Sequence, residues 1–228
     1  MTMRAASVRG FIAVAFTVAA TCGLLMAQVA IGSNVPSNAV VTFALDFPGS
    51  TPPHYSIAVA SDGNATYECN VKIEDDADEQ TYKTEFEMSA ANRERIFNWA
   101  KQAQYFAGKI DSEKRNLAFT GAKILSYQDG QRSFQARYNY SSVEAIQQLT
   151  ALFQNVAGTL DYGRRLAYYH RYQKLALDEE LKRMVGEARN NQLSEIQSVA
   201  PVLQQIVEDN SVINVVRARA KELIEMKK

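Results

Sequence analysis

The chain has 228 residues, which suits one or two domains, and 46% of them are hydrophobic, so a buried core can form. Its 25 basic residues balance its 25 acidic residues, so the chain has no net positive charge that would favour nucleic acid as a partner. The two cysteines and two histidines lie far apart and show neither a disulfide framework nor the spacing of a zinc site.

The first thirty residues have the pattern of a Sec-type signal. Arg4 and Arg9 are followed by an uncharged run from residue 11 to residue 31, and the segment holds no acidic residue. Such a run is also long enough to cross a bilayer as an uncleaved anchor. We therefore predict a signal peptide or signal anchor over residues 1–30 and a linker over residues 31–39. The remainder is predicted to be exported to the periplasm or cell exterior, or held at the inner membrane by residues 11–31.

Alternating apolar residues predict six β-strands after the linker. The predicted strands cover residues 40–47, 55–59, 65–73, 81–88, 123–127 and 132–138. Asp-Gly pairs at 62–63 and 129–130 predict two hairpin turns. Cys69 lies on the apolar face of its strand and is expected to be a small buried residue. The acidic residues 74–79 lack the spacing of a calcium-binding loop, so we expect a solvated loop.

One helix is predicted between the fourth and fifth strands. Ser89 is a suitable N-cap, and Ile96, Phe97 and Ala100 recur at the spacing of a helix that packs on a sheet. The predicted fold class is α+β. An antiparallel sheet with a helix on one face forms a two-layer domain over residues 40–157, and a long helix with a helical hairpin or three-helix unit follows it.

Residues 40–157 also carry a set of turn and cap signals in a fixed order: Asp62-Gly63, Ser89, Phe106 and Asp129-Gly130. In this order of elements the segment resembles small exported bacterial α+β domains of unknown function. The resemblance implies a fold and export, and it implies no activity. It does not extend to the helical remainder, residues 158–228.

A single long helix is predicted from Ser141 to Ala188, because this stretch contains no proline and keeps a helical apolar spacing. Ser141 and Glu144 have the spacing of a capping box, so the helix should begin at residue 142. The chain should turn back near residues 189–192. Pro201 should either kink the next helix or begin it.

The last helix is predicted to begin after residues 209–211, Asp-Asn-Ser, which would supply its cap. Its apolar side should contain Val212, Val215, Val216, Ala220 and Leu223.

The middle of the long helix is rich in tyrosine and basic residues, which are the residue types that anchor interfaces. We interpret it as a candidate interaction surface, and the alternative is that the tyrosines pack internally while the arginines reach water. The residues concerned are Tyr162, Arg164, Arg165, Tyr168, Tyr169, His170, Arg171, Tyr172 and Lys174.

The sequence contains no nucleophile motif, phosphate-binding glycine loop or zinc-protease motif, so no catalytic residue, cofactor or metal ligand is predicted. The expected function is a non-enzymatic binding or assembly module of the cell envelope. Its partner would be a protein or a second copy held through the long helix, or else an anionic envelope polymer or lipid head group, and not nucleic acid. The alternative is an envelope-polymer hydrolase, or an inhibitor of one, that uses carboxylates such as Asp111 or Glu113.

Overall fold

Six antiparallel strands form one sheet in the computed structural model, as the alternating sequence predicts. The sheet order is β4-β3-β2-β1-β5-β6, so β4 and β6 are the edge strands. The strands are β1 (Val40–Asp46), β2 (His54–Ala60), β3 (Asn64–Val71), β4 (Gln80–Glu87), β5 (Ala122–Gln128) and β6 (Ser133–Tyr138). The structure describes residues 36–71, 80–114 and 116–226. The predicted signal or anchor, most of the predicted linker and the acidic loop 74–79 therefore lie outside the described residues.

Both predicted hairpin turns are confirmed, and each is held by its aspartate. The Asp62 carboxylate accepts a hydrogen bond from the Asn64 amide at 2.9 Å, and Gly63 has a φ of +106°, which favours glycine. The Asp129 carboxylate accepts from the amides of Gln131 and Arg132 at 2.8 and 2.7 Å. Aspartate suits such turns because its short side chain can accept hydrogen bonds from the amides two and three residues further on.

Helix α1 (Ala90–Gln102) packs on one face of the sheet and begins where the sequence predicts. The Ser89 hydroxyl accepts a hydrogen bond from the Asn92 amide at 3.3 Å, so Ser89 is the N-cap. The predicted apolar positions Ile96, Phe97 and Ala100 are buried against the sheet. Cys69 is also buried, as expected for an apolar face.

The long helix is shorter than predicted. Helix α2 (Glu144–Tyr172) ends at Gln173, whose φ of −143° is not helical, and a short 3-10 turn, Lys174–Ala176, leads into helix α3 (Leu177–Arg189). The prediction of one helix to Ala188 is therefore wrong. The break redirects α3 so that its apolar residues reach the core, and Leu177, Leu181 and Met184 are fully buried.

The predicted capping box of the long helix is also wrong. Val143 occupies the N-cap position, and no side chain caps it. Ser141 is buried, and its hydroxyl accepts a hydrogen bond from the Val143 amide at 3.2 Å. Gln147 rather than Glu144 reaches back, and its side-chain amide donates to the Ser141 carbonyl at 2.9 Å. These contacts form a turn that precedes the helix.

The C-terminal region contains helices α4 (Ala200–Glu208) and α5 (Asn214–Glu225). The predicted turn near residues 189–192 is confirmed, and of the two roles considered for Pro201 the structure shows the second, since it lies in the first turn of α4. The predicted cap of the last helix is wrong. Ile213 occupies the N-cap position of α5, while Asp209 and Ser211 bond to each other at 2.6 Å.

The sheet and the helices share one buried cluster, and residues 33–228 form one compact unit. The boundary predicted between residues 157 and 158 lies inside α2, in which Leu160 and Leu166 are as buried as Phe153. Over residues 36–71, 80–114 and 116–226, no helix has both the length and the apolar character that a membrane span requires.

Helix α2 crosses the sheet and continues past it. Near its start, Thr150 hydrogen-bonds the hydroxyl of Tyr138 on β6 at 2.6 Å, and further along Phe153 stacks on Phe43 of β1 with ring centroids 5.4 Å apart. A helix of 29 residues is about 43 Å long, whereas five inter-strand spacings cover only about 24 Å. The last turns of α2 therefore extend beyond the sheet. Helices α3 and α4 pack against α2, and α5 packs against α3 and α4.

Candidate interaction surface at the tip of the helical region

The nine residues predicted as an interaction surface separate into two groups. Three of them lie in the inner part of α2, and their polar groups bond within the chain. Tyr162 is buried and its hydroxyl donates to Glu187 at 2.7 Å, while Arg164 donates two hydrogen bonds to Asp161 at 2.8 and 3.0 Å. Arg165 pairs with Asp161 as well, and its guanidinium lies 4.6 Å from the ring centre of Tyr162.

A buried carboxylate on α3 completes this inner cluster. Glu180 has no exposed surface, and it accepts from Arg165 at 2.5 Å and from Arg183. Buried acids are rare unless they are paired, and the pairing explains why two arginines can lie beside the core. Sequence reasoning missed Glu180, because its neighbours Asp178 and Glu179 give the segment the appearance of an exposed helix start. The inner cluster connects α2 to α3, and its polar groups bond to one another within the chain.

The other six residues lie at the end of α2 and at the start of the 3-10 turn that follows it, and they form an aromatic and basic group. The rings of Tyr168 and Tyr172, one helical turn apart, have centroids 5.2 Å apart, and Tyr168 also contacts Tyr169. The guanidinium of Arg171 lies 5.2 Å from the centre of the Tyr172 ring, within the range of a cation–π contact. Tyr169 packs against the core, whereas Tyr172 is 62% exposed.

The remaining two of the six, His170 and Lys174, converge on Asp209 in the turn between α4 and α5. The Asp209 carboxylate contacts His170 Nε2 at 2.9 Å and Lys174 Nζ at 2.6 Å, and it accepts from the Ser211 hydroxyl at 2.6 Å. Lys174 also donates to the Ser211 hydroxyl at 2.6 Å. The Lys174 ammonium, followed by the Ser211 bonds, holds the pKa of Asp209 below its usual range. Asp209 therefore joins the α2–α3 turn to the α4–α5 turn.

Large apolar side chains are exposed on both of these joined turns. Leu175, in the α2–α3 turn, is 96% exposed, and Ile213, in the α4–α5 turn, is 61% exposed. Val215 is exposed as well, so its predicted place on the apolar side of the last helix is wrong, whereas Val216 is buried. We call Tyr172, Leu175, Ile213 and Val215 the tip.

Sequence reasoning found only Tyr172 among the four residues of the tip. The helical spacing of the predicted apolar face includes Lys174 and Leu177 but not Leu175. This spacing indicates that Leu175 is exposed. Val215 and Val216 are adjacent and identical in type, and the sequence does not show that only Val216 is buried. Ile213 carries no local signal, because its exposure depends on where α5 begins.

The tip and its polar support suit binding better than bond-breaking chemistry. In a nucleophile–base–acid triad the imidazole lies between the hydroxyl and the carboxylate. Here the carboxylate of Asp209 lies between Ser211 and His170 and bonds to both. Within the part of the chain that the structure describes, no three His, Cys, Asp or Glu side chains gather as a metal site would require.

No protein-family model matches the chain, and no curated protein matches it either. The resemblance of residues 40–157 to exported bacterial domains stays a prediction from the sequence.

Proposed function

We propose that this protein is a non-enzymatic binding module of the cell envelope and that the tip is its contact surface. The observation that carries the proposal is Leu175, a leucine that is 96% exposed on a turn anchored through its neighbour Lys174. Exposed apolar side chains that are grouped, unlike single ones, mark contact sites in soluble proteins, and Leu175 is one of the four residues of the tip. The neighbouring Tyr172 and Arg171 belong to the residue types that dominate binding energy at interfaces.

The proposed location follows from the first thirty residues, whose basic start and uncharged run have the pattern of an export signal. An exported protein meets envelope proteins, polymers and lipids rather than nucleic acid. The balanced charge of the whole chain is consistent with a local contact surface rather than a long-range electrostatic one.

The environment of Asp111 supports the non-enzymatic proposal over a hydrolase. Its carboxylate accepts hydrogen bonds from the amides of Glu113 and Asn139, both at 2.7 Å, and these bonds lower the pKa of Asp111. A general acid at neutral pH needs a raised pKa instead. Glu113 forms an ion pair with Lys109, so both carboxylates suggested for hydrolysis have structural contacts.

Lys123, near the start of β5, also supports a non-enzymatic function. Its ammonium is buried and donates to the carbonyl and hydroxyl oxygens of Thr120 at 3.1 and 2.9 Å and to the Asn139 carbonyl at 2.9 Å. Burial lowers the pKa of Lys123, which is a feature of reactive lysines, but the ammonium is enclosed by the oxygens that it bonds. Lys123 therefore fastens the loop before β5 to the end of β6.

Site-specific photo-crosslinking in cells tests the proposal. A photoreactive residue is placed at Leu175 in the full chain, and the matched control carries it at Phe119, a 60% exposed residue in the loop before β5. We expect discrete adducts, to protein or to lipid, at position 175 and not at position 119. Equal labelling of both positions, or no adduct at position 175, would contradict the assignment of the tip as the contact surface.

A further inference from the structure

Two short stretches of the chain carry the acceptor sequence for N-linked glycosylation. The triplet Asn-x-Ser/Thr, in which x is not proline, occurs at residues 64–66 and 139–141. It is a modification signal of exported proteins, and it is used where it lies at the surface. Bacterial transferases of this type also require an acid two residues before the asparagine. Asp62 stands at that position in the first triplet and Arg137 in the second, so the sequence favours the first.

The first triplet presents its asparagine and its threonine on one face of the sheet. Asn64 is the first residue of β3 and is exposed, and Thr66 is half-buried. Ala65 and Tyr67, which alternate with them, are buried in the core that the sheet shares with the helices. Asn64 and Thr66 therefore point to the opposite face. A transferase that contacts the amide and the hydroxyl together can approach both from this side.

Asp62 holds the side chain of Asn64 in place at the hairpin turn. The Asp62 carboxylate accepts hydrogen bonds from the backbone amide of Asn64 at 2.9 Å and from Asn64 Nδ2 at 2.8 Å. Arg93 donates to the Asp62 carbonyl at 2.9 Å and ties the turn to α1. An acceptor that is held before the enzyme binds loses less conformational entropy on binding.

The second triplet is occupied by contacts within the chain. The side-chain amide of Asn139 donates to the Ala118 carbonyl at 3.1 Å, and its side-chain oxygen accepts from the Thr120 amide at 2.9 Å. Ser141 is only 2% exposed, and its hydroxyl accepts from the Val143 amide at 3.2 Å. Transfer to this triplet would require these bonds to break, so the structure favours the same triplet as the sequence.

From these observations we propose that Asn64 is a site of N-linked glycosylation. The oligosaccharide comes from a polyprenyl pyrophosphate carrier. The bond between its anomeric carbon and the phosphate oxygen breaks, a bond from that carbon to Asn64 Nδ2 forms, the amide releases one proton and the lipid pyrophosphate leaves. This inference rests on the proposed function only for export, because such transferases act on exported chains. It does not involve the tip.

Transfer in vitro tests the proposal with residues 33–228, which form one compact unit with its own core. The protein is incubated with a purified bacterial oligosaccharyltransferase and its polyprenyl-pyrophosphate-linked oligosaccharide, and mass spectrometry of the intact chain and of its peptides locates the product. We expect a single oligosaccharide, on Asn64. An unmodified chain would overturn the proposal if an acceptor peptide is glycosylated in the same reaction.

Variants of the triplet show whether transfer follows the acceptor sequence. Asn64→Gln and Thr66→Ala should each abolish the transfer, and Thr66→Ser should keep it because the hydroxyl is retained. The changed side chains lie outside the core, so the unfolding midpoints of these variants should agree with that of the unchanged protein. A Thr66→Ala variant that is modified like the unchanged protein would overturn the assignment.

Arg137→Asp is the matched control, because it gives the second triplet the acid that it lacks. We expect Asn139 to stay unmodified in this variant, since its side chain and that of Ser141 are bonded within the folded chain. Equal transfer to Asn139 and Asn64 would overturn the selection by the fold, because the contacts of Asn139 would then be no barrier.

The outcomes are distinguishable from those for the tip. Transfer to Asn64 without discrete adducts at position 175 would support this inference and contradict the tip as the contact surface. Adducts at position 175 with no transfer to Asn64 would do the reverse. Cell fractionation of the full chain tests export, and a chain found only in the cytoplasm would overturn both.

Discussion

The carboxylate of Glu195 accepts hydrogen bonds from the backbone amide and the hydroxyl of Ser89 at 3.1 and 2.6 Å, across 106 residues of sequence. Asn92 donates to the same carboxylate at 2.6 Å, so the first turn of α1 is capped by a residue of the C-terminal region. Glu195 adopts a left-handed backbone conformation with a φ of 61°. A carboxylate here also stabilises the positive end of the helix dipole, so this contact couples α1 to the helical region.

Replacing Glu195 should destabilise the protein through these bonds. We expect Glu195→Ala to lower the free energy of unfolding by about 1.5–3 kcal/mol, the range for hydrogen bonds to a charged group. Urea unfolding monitored by circular dichroism measures the change. Glu208→Ala is the control, because Glu208 is exposed and accepts a hydrogen bond from Gln204 of its own helix. A Glu195 variant as stable as the control would show that the cap contributes little.

The buried acid Glu180 should matter more for stability than Glu222, a half-buried acid that also pairs with an arginine. Glu180→Ala removes the carboxylate that pairs with Arg165 and Arg183. We expect the free energy of unfolding to fall by about 3 kcal/mol, since one partner of a buried ion pair is removed. Glu222→Ala breaks the more exposed pair with Arg189 and should cost less than about 1 kcal/mol. Denaturant unfolding of both variants compares them, and equal losses would contradict the importance of burial.

Two glycines of α2 should respond to alanine in opposite directions. A methyl group at Gly163 would lie too close to the buried Val199 side chain, so Gly163→Ala should cost about 1–3 kcal/mol through overpacking. At Gly158 the nearest atom, Leu193 Cδ2, is 3.4 Å away, and Gly158→Ala should stabilise by up to about 1 kcal/mol because alanine favours a helix. Thermal unfolding of the two variants measures both changes in stability. Midpoints that shift in the same direction would contradict the packing of Gly163 against Val199.

Asp209 should make stability depend on pH in the acid range. Its pKa in the folded protein is lowered, chiefly by Lys174, so its contribution is present above the unfolded value of about 3.9 and is lost as the pH falls. We expect Asp209→Asn to be less stable than the unchanged protein near neutral pH and the difference to shrink below about pH 4. Urea unfolding across this range measures it, and a difference that does not vary with pH would refute the role of the charge.

Much of the sheet layer follows from local sequence, and the structure agrees there. Alternation placed the strands, Asp62 and Asp129 marked the hairpins, and Ser89 marked the start of α1. These signals act between residues that are close in the sequence, so no knowledge of the rest of the fold is needed to interpret them.

Contacts between distant residues decided what the sequence did not show. The end of α2 depends on Lys174 and His170 reaching Asp209, which lies 35 and 39 residues later. The inner arginines of the predicted surface are occupied by Asp161 and by Glu180 on α3, while Leu175 is left exposed. The sequence determined the alternation, the turns and the helical spacing, because these depend on near neighbours. Only the tertiary structure decided which polar groups find partners inside the chain and which apolar residues stay exposed, because that depends on which helix ends meet.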